Sequence, residues 1–169
     1  MVIVYDQKFN SNEWFVIAAL TIGVILVWKL PKRFPIKESL VYFIGFVFLG
    51  MVFDHTISIK LFDYYDVNDK SSYQLMDFVS YLTYGPFGYL YIYFYDFFKI
   101  KNPYSTIYIF LWTIISLVME YIAHALGLYH YKNGYEIYYS FPIYLLLLMS
   151  YLCLYKLLNS KKAEKETPF

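Results

Sequence analysis

The stretch STIYIFLWTIISLVMEYIAHALGL, residues 105–128, decides the fold. A helix that crosses a bilayer needs about 20 mostly apolar residues, and this run carries no charged side chain before Glu120. Apart from one small and polar stripe it is an Ile/Leu/Phe helix, and we read it as a membrane span. Four further stretches qualify: Trp14–Leu30, Leu40–Phe62, Leu75–Phe98 and Tyr138–Leu158. Trp14 and Trp28 stand at the ends of the short first one, where interfacial anchors belong. Breakers separate the spans: Pro31 and Pro35, the polar run 63–72, Lys101-Asn102-Pro103, and Lys132-Asn133-Gly134. The sequence thus predicts an all-α polytopic membrane protein, a bundle of about five transmembrane helices over residues 1–158. A charged, disordered cytoplasmic tail is expected over 159–169. The rival arrangement has four spans, with the first segment merely interfacial.

Composition points the same way. The 169 residues are 60% hydrophobic and 24% aromatic, with 16% charged, whereas soluble domains carry about 25% charged residues. A net charge of +1 supplies no basic field for nucleic acid. The lone cysteine, Cys153, excludes an intrachain disulfide and a cysteine-based zinc or iron–sulfur site. Asp6, Lys8 and Glu13 replace the basic leader of a signal peptide, so the first span reads as a retained helix.

Cationic residues set the expected orientation. Lys29, Lys32, Arg33, Lys37, Lys99, Lys101, Lys156, Lys161, Lys162 and Lys165 fall on one side of the five-span topology. Lys8, Lys60, Lys70 and Lys132 fall on the other. The positive-inside rule then places the N-terminus outside and the C-terminus in the cytoplasm, in a plasma membrane.

Against this apolar background, Asp54, His55, Asp77, Glu120, His124 and His130 form a candidate polar cluster. Each ionisable group within hydrocarbon costs about 2.5–3.5 kcal/mol on insertion scales, so such groups mark function or mutual pairing. At a helical rise of about 1.5 Å per residue, Asp54 lies about 21 Å and Glu120 about 22 Å from the cytoplasmic edge. Asp77 begins the third span and His130 lies just past the fourth, so all six sit toward the outer face. Glu120 and His124 share one helical face by their i, i+4 spacing, extended by Thr113, Ser116 and Gly127. Asp77, Tyr81, Tyr84, Gly85 and Gly88 form a comparable stripe in the third span, as do Gly50, Asp54 and Ser58 in the second. Small and polar residues are what membrane helices turn toward one another. Spans two, three and four are therefore expected to pack through these faces.

Three readings of the cluster compete. One is a buried hydrogen-bonded network, with Glu120 and Asp54 paired to His55 and His124, that holds the bundle in register. Another is a proton- or ligand-responsive site. The third is a divalent metal bound by His55, Glu120 and His124 with one open position. No metal or other cofactor is firmly implied, because no His-Glu-x-x-His run is present.

The Gly85-Pro86-Phe87-Gly88 run breaks the third span near its middle, and Pro86 removes a backbone hydrogen bond there. Such breaks serve substrates in transporters, but a packing kink is the simpler reading. Pro142 lies in the first turn of the last span, where proline is tolerated. The tyrosines at 81, 84, 89, 91, 93 and 95 point all round their helix and read as anchors or interhelical donors, not a groove for a lipid chain.

The layout as a whole, a short first helix ending in Lys/Pro/Arg, an acid at Val118-Met119-Glu120 and an aromatic final helix from Tyr138 to Tyr144, is suggestive. It resembles an uncharacterised family of small multi-pass membrane proteins of Bacillus- and Clostridium-type bacteria. That resemblance implies a bacterial cell membrane and brings no activity, cofactor or site residue with it. The expected function is non-enzymatic, structural or interaction-based. The bilayer would be its solvent, and a membrane protein or a second copy its partner. The alternative is a small transporter or sensor, or a metal-dependent membrane enzyme, working through the cluster.

Overall fold

Each long helix starts where the sequence supplies a cap and stops where the chain cannot continue. Helix α1 (Ser11–Lys29) opens on a capping box. The Asn10 side chain accepts from Asn12 N at 3.2 Å, and Glu13 accepts from Asn10 N at 2.7 Å. It ends at Leu30, forced into extended backbone by Pro31. Helix α2 (Ile36–Ile57) follows Pro35. Strand β1 (Tyr65–Val67) leads to α3 (Leu75–Phe97), where Asp77 Oδ2 accepts from Gln74 N at 2.6 Å in a second capping box. Helix α4 (Ser105–Ala125) is followed by β2 (Tyr129–Tyr131) and α5 (Ser140–Glu166). This computed structural model describes residues 2–58 and 62–166, with side chains through 160. Lys60 of the orientation count, residues 59–61 of the second predicted span and residues 167–169 of the tail lie outside the described residues.

Four helical segments are long and apolar enough to cross a membrane: α1, α2, residues 102–125 and residues 137–160. The third predicted span, now α3, falls short of that hydropathy, because Asp77, Ser80, Thr83, Pro86, two glycines and six tyrosines dilute it. Burial gives the reason. Eleven of the 23 residues of α3 are buried, against four of 19 in α1 and four of 22 in α2. Helix α3 is the central strut of the bundle and faces protein, while Ile22, Leu111 and Val118 of α1 and α4 stand exposed.

Glycines set the closest helix contacts. A Cβ on Gly85 would overlap the Phe43 ring, one on Gly88 would overlap Phe46, and one on Gly50 would overlap the Tyr84 ring. Helices α2 and α3 therefore interdigitate through rings seated on glycines. A Cβ on Gly23 would stand only 2.9 Å from the Pro86 ring, so α1 gives that ring the same room. Helix α3 runs unbroken through Pro86, and its Gly-Pro-Phe-Gly run is a packing surface.

Two sequence expectations about packing change. Helix α4 packs on α5, and it meets α3 through aromatic rings (Phe87 on Trp112, Tyr91 on Tyr108) rather than through small residues. The large rings hold α3 and α4 apart, so the polar face of α4 looks into a gap. Gly127 does not belong to that face. It stands past the end of α4 with φ +85°, the left-handed position that closes a helix. Helix α5 also continues to Glu166, into residues read from sequence as a disordered tail, where Lys, Ala and Glu are strong helix formers.

The connections gather at two ends. At one end β1 pairs antiparallel with β2, Tyr65 opposite Tyr131 and Asp66 opposite His130. The N-terminal segment joins them through Val4 and Lys70, with Tyr5 N donating to Asp69 O at 2.8 Å. This is the sheet end. At the other end Arg33 pairs with Asp96 at 2.6 Å, and the Tyr155 hydroxyl donates to Asp96 Oδ1 at 2.7 Å.

Candidate functional site

Asp54 lies in the last turn of α2 and Glu120 just over one turn before the end of α4, so both carboxyls reach the sheet end from different helices. Both are buried, 8% and 7% exposed. Burial of a carboxyl demands donors, and tyrosines supply them. The Tyr65 hydroxyl of β1 donates a short hydrogen bond to Asp54 Oδ1, and Tyr84 of α3 donates to Oδ2 at 3.3 Å. The Tyr131 hydroxyl of β2 donates to Glu120 Oε1 at 2.7 Å. Ser140, the first residue of α5, donates to the same oxygen at 2.7 Å, and its Oγ lies 2.7 Å from the Tyr135 hydroxyl. Tyr84 and Tyr129 link the two halves, hydroxyl to hydroxyl, at 3.2 Å.

Burial pushes the Tyr65 and Tyr131 phenols far up, and the neighbouring carboxyls add to the shift. It pushes Tyr135 up to about 12. These hydroxyls therefore stay protonated and serve as donors at neutral pH.

Both carboxyls line one cavity of about 340 Å³, walled by all five helices. Its sheet end is polar, with Asp54, Glu120, Tyr84, Tyr129, Ser140 and Tyr144; its remainder is apolar, from Phe15 and Phe53 to Ile143 and Leu148. Among the described residues that line it there is no lysine, arginine or histidine. The two acids line the same cavity, and the Tyr84–Tyr129 hydroxyl contact beside Asp54 joins their halves.

The predicted six-residue cluster thus divides. Asp54 and Glu120 come together. His55 and His124 do not pair with them: both are exposed, and their Nδ1 atoms bond Met51 O at 2.9 Å and Tyr129 O at 2.7 Å. His124 stacks on Tyr131 at 4.2 Å and so steadies the ring that holds Glu120. Asp77 works as the α3 cap and accepts from Asn68 Nδ2 at 2.6 Å. His130 stacks flat on Tyr5 at 3.7 Å, and burial holds its imidazole below the ordinary value. His55, Glu120 and His124 do not converge as a ligand set. The described residues hold no group of three His, Cys, Asp or Glu placed to share a metal ion.

Sequence reading missed the tyrosine and serine donors at 65, 129, 131, 135, 140 and 144. Five of the six lie outside the predicted spans or at the edge of one. The signal that pointed to them was the alternation Tyr129-His130-Tyr131, a period-two pattern that sends both tyrosines to one side of a strand. No family model, curated protein or solved structure matches the chain. Its chemistry is therefore read from its own geometry.

Proposed function

We propose that this chain is a non-enzymatic integral protein of a bacterial plasma membrane that holds a small ligand inside its helical bundle. The acid–tyrosine network clasps the sheet end and also forms the polar end of the binding cavity. The observation that carries this reading is the cavity itself, about 340 Å³, with two buried carboxyls entering from different helices. Ligand cavities span about 300–1,000 Å³, mostly apolar with a few placed polar groups, so this one suits a small guest. Five membrane crossings are part of the proposal. Helix α3 has 23 residues and, at about 1.5 Å each, the length to span a bilayer, with partners on its polar positions. The Lys/Arg count supports an external N-terminus, which puts the sheet end outside. The resemblance of the sequence layout to small Bacillus- and Clostridium-type membrane proteins is the ground for the proposed location. Signalling of ligand occupancy to a second copy or another membrane protein fits the interaction role expected from sequence.

The test is photolabelling of the full chain in liposomes with a short diazirine hydrocarbon, read by mass spectrometry. Leu148 lines the cavity and is 1% exposed, so its labelling requires entry of the probe. The expected result is label on Leu148 that Ser116→Phe, which fills the cavity, abolishes. Label confined to exposed residues such as Ile107 and Leu146 would overturn the reading.

A further inference from the structure

Resting on the ligand-binding reading, we infer that the guest is a lipophilic amine cation that enters sideways from the bilayer between α1 and α4 and seats its ammonium between Glu120 and Asp54.

The head group follows from what the cavity lacks. Glu120 Oε1 already accepts two hydrogen bonds, from Tyr131 and Ser140. Its Oε2 is buried, and the one donor beside it is the neutral Tyr144 hydroxyl, so three neutral hydroxyls and, among the described residues, no cation face the carboxyl. Asp54 also lines the cavity, and no basic side chain among the described residues lines it with them. Neutral donors satisfy the lone pairs of a buried carboxyl but leave its charge uncompensated. An ammonium brings three donors and the missing charge together. A neutral alcohol brings one donor and leaves a carboxyl uncompensated, while a carboxylate guest meets two like charges. The Tyr84, Tyr129 and Tyr144 rings add faces that attract a cation.

The route follows from the walls. Ile22 and Leu26 of α1 and Met119 of α4 line the cavity, yet they are 59%, 46% and 38% exposed. The cavity therefore reaches the flank of the bundle at these apolar residues, not its polar end. Helix α1 packs on α3 and α4 packs on α5, and α1 meets α4 at the sheet end through Val16, Ala123 and Leu128. Below that closure the flank opens to hydrocarbon, so the guest needs an apolar chain to arrive.

The experiment sets n-hexylamine, n-hexanol and hexanoate to compete with the diazirine hydrocarbon for Leu148 in liposomes, at matched mole fractions in the membrane. Hexylamine is expected to protect at least about tenfold better than hexanol, since a charge-assisted bond of about 1.5–3 kcal/mol corresponds to that factor or more. Hexanoate is expected not to protect. Glu120→Gln keeps the Oε1 acceptor and should remove the amine's advantage while leaving hexanol unchanged; Asp54→Asn is the second variant should the first not fold. Equal protection by all three probes, or an amine advantage that survives both substitutions, overturns the amine assignment and leaves the cavity reading standing. Absence of Leu148 label with no competitor overturns the cavity reading instead.

Discussion

The two ends of this bundle each set carboxyls under tyrosine hydroxyls, Asp54 and Glu120 buried at the sheet end and Asp96 half-buried at the other, but of these three only Asp96 is given a cation. At the end opposite the sheet, Asp96 takes a bond from Tyr155 and an ion pair from Arg33, whose guanidinium also lies 5.4 Å from the Phe97 ring centre. That clasp is closed. At the sheet end Asp54 and Glu120 have tyrosines and a serine, and the nearby lysine, Lys132, is spent on Asp63 and Asp66 at 2.6 and 2.9 Å. Under the proposed function, the contrast separates a structural clasp from a site: the same side chains serve both, and the presence or absence of a counter-charge decides which.

The comparison can be broken most severely through its packing. Gly50→Leu drives a side chain into the Tyr84 ring and should displace the hydroxyl from Asp54. Overpacking costs about 1–3 kcal/mol or more, so the largest fall in thermal midpoint is expected here, with loss of Leu148 photolabelling. Arg33→Met opens the other clasp. Arg33 and Asp96 are each about 30% exposed, so solvent screens part of the loss, and about 1–2 kcal/mol is expected, below the figure for a fully buried pair. That variant should leave amine protection of Leu148 intact, which separates the two ends directly. Tyr131→Phe removes one of two donors from Glu120 Oε1 and should cost about 1–1.5 kcal/mol by thermal denaturation. The smallest effect is a pH dependence at the Tyr5–His130 stack. Burial holds the folded imidazole below its ordinary value, so the unfolded chain binds the proton first as pH falls below about 6.5. Stability from this group is present above that pH and lost below it, and the acid-side decline in thermal midpoint should shrink in His130→Phe.

Much of this architecture was legible in the sequence. The apolar runs, their breakers and the two acids among hydrocarbon side chains located five long helices and the two carboxyls that meet. The four-span rival singled out the first segment as doubtful, whereas α1 is apolar enough to span and α3 is the helix that falls short, because a strut buried among its neighbours needs no apolar outer face. Helix spacing also held a clue against the histidines. Consecutive residues diverge by about 100° on a helix, so His55 turns outward as Asp54 turns in. The donors were harder to see. Tyr65 and Tyr131 reach the acids only because β1 pairs with β2 across the chain, a contact no local pattern reports. The gap between α3 and α4 depends on how rings such as Trp112 and Tyr108 stack, which composition alone leaves undetermined.

The most direct test compares removal of one charge at each end by thermal denaturation of Glu120→Gln and Asp96→Asn, side by side in the same liposomes. Asp96→Asn strands Arg33 and is expected to lower the midpoint. Glu120→Gln keeps the acceptor for Tyr131 and Ser140 and removes a charge that makes no ion pair among the described residues, so it is expected to leave the midpoint unchanged or raise it. A fall as large as that of Asp96→Asn would show the sheet-end acids to be as fully compensated as the opposite clasp, and would contradict the account.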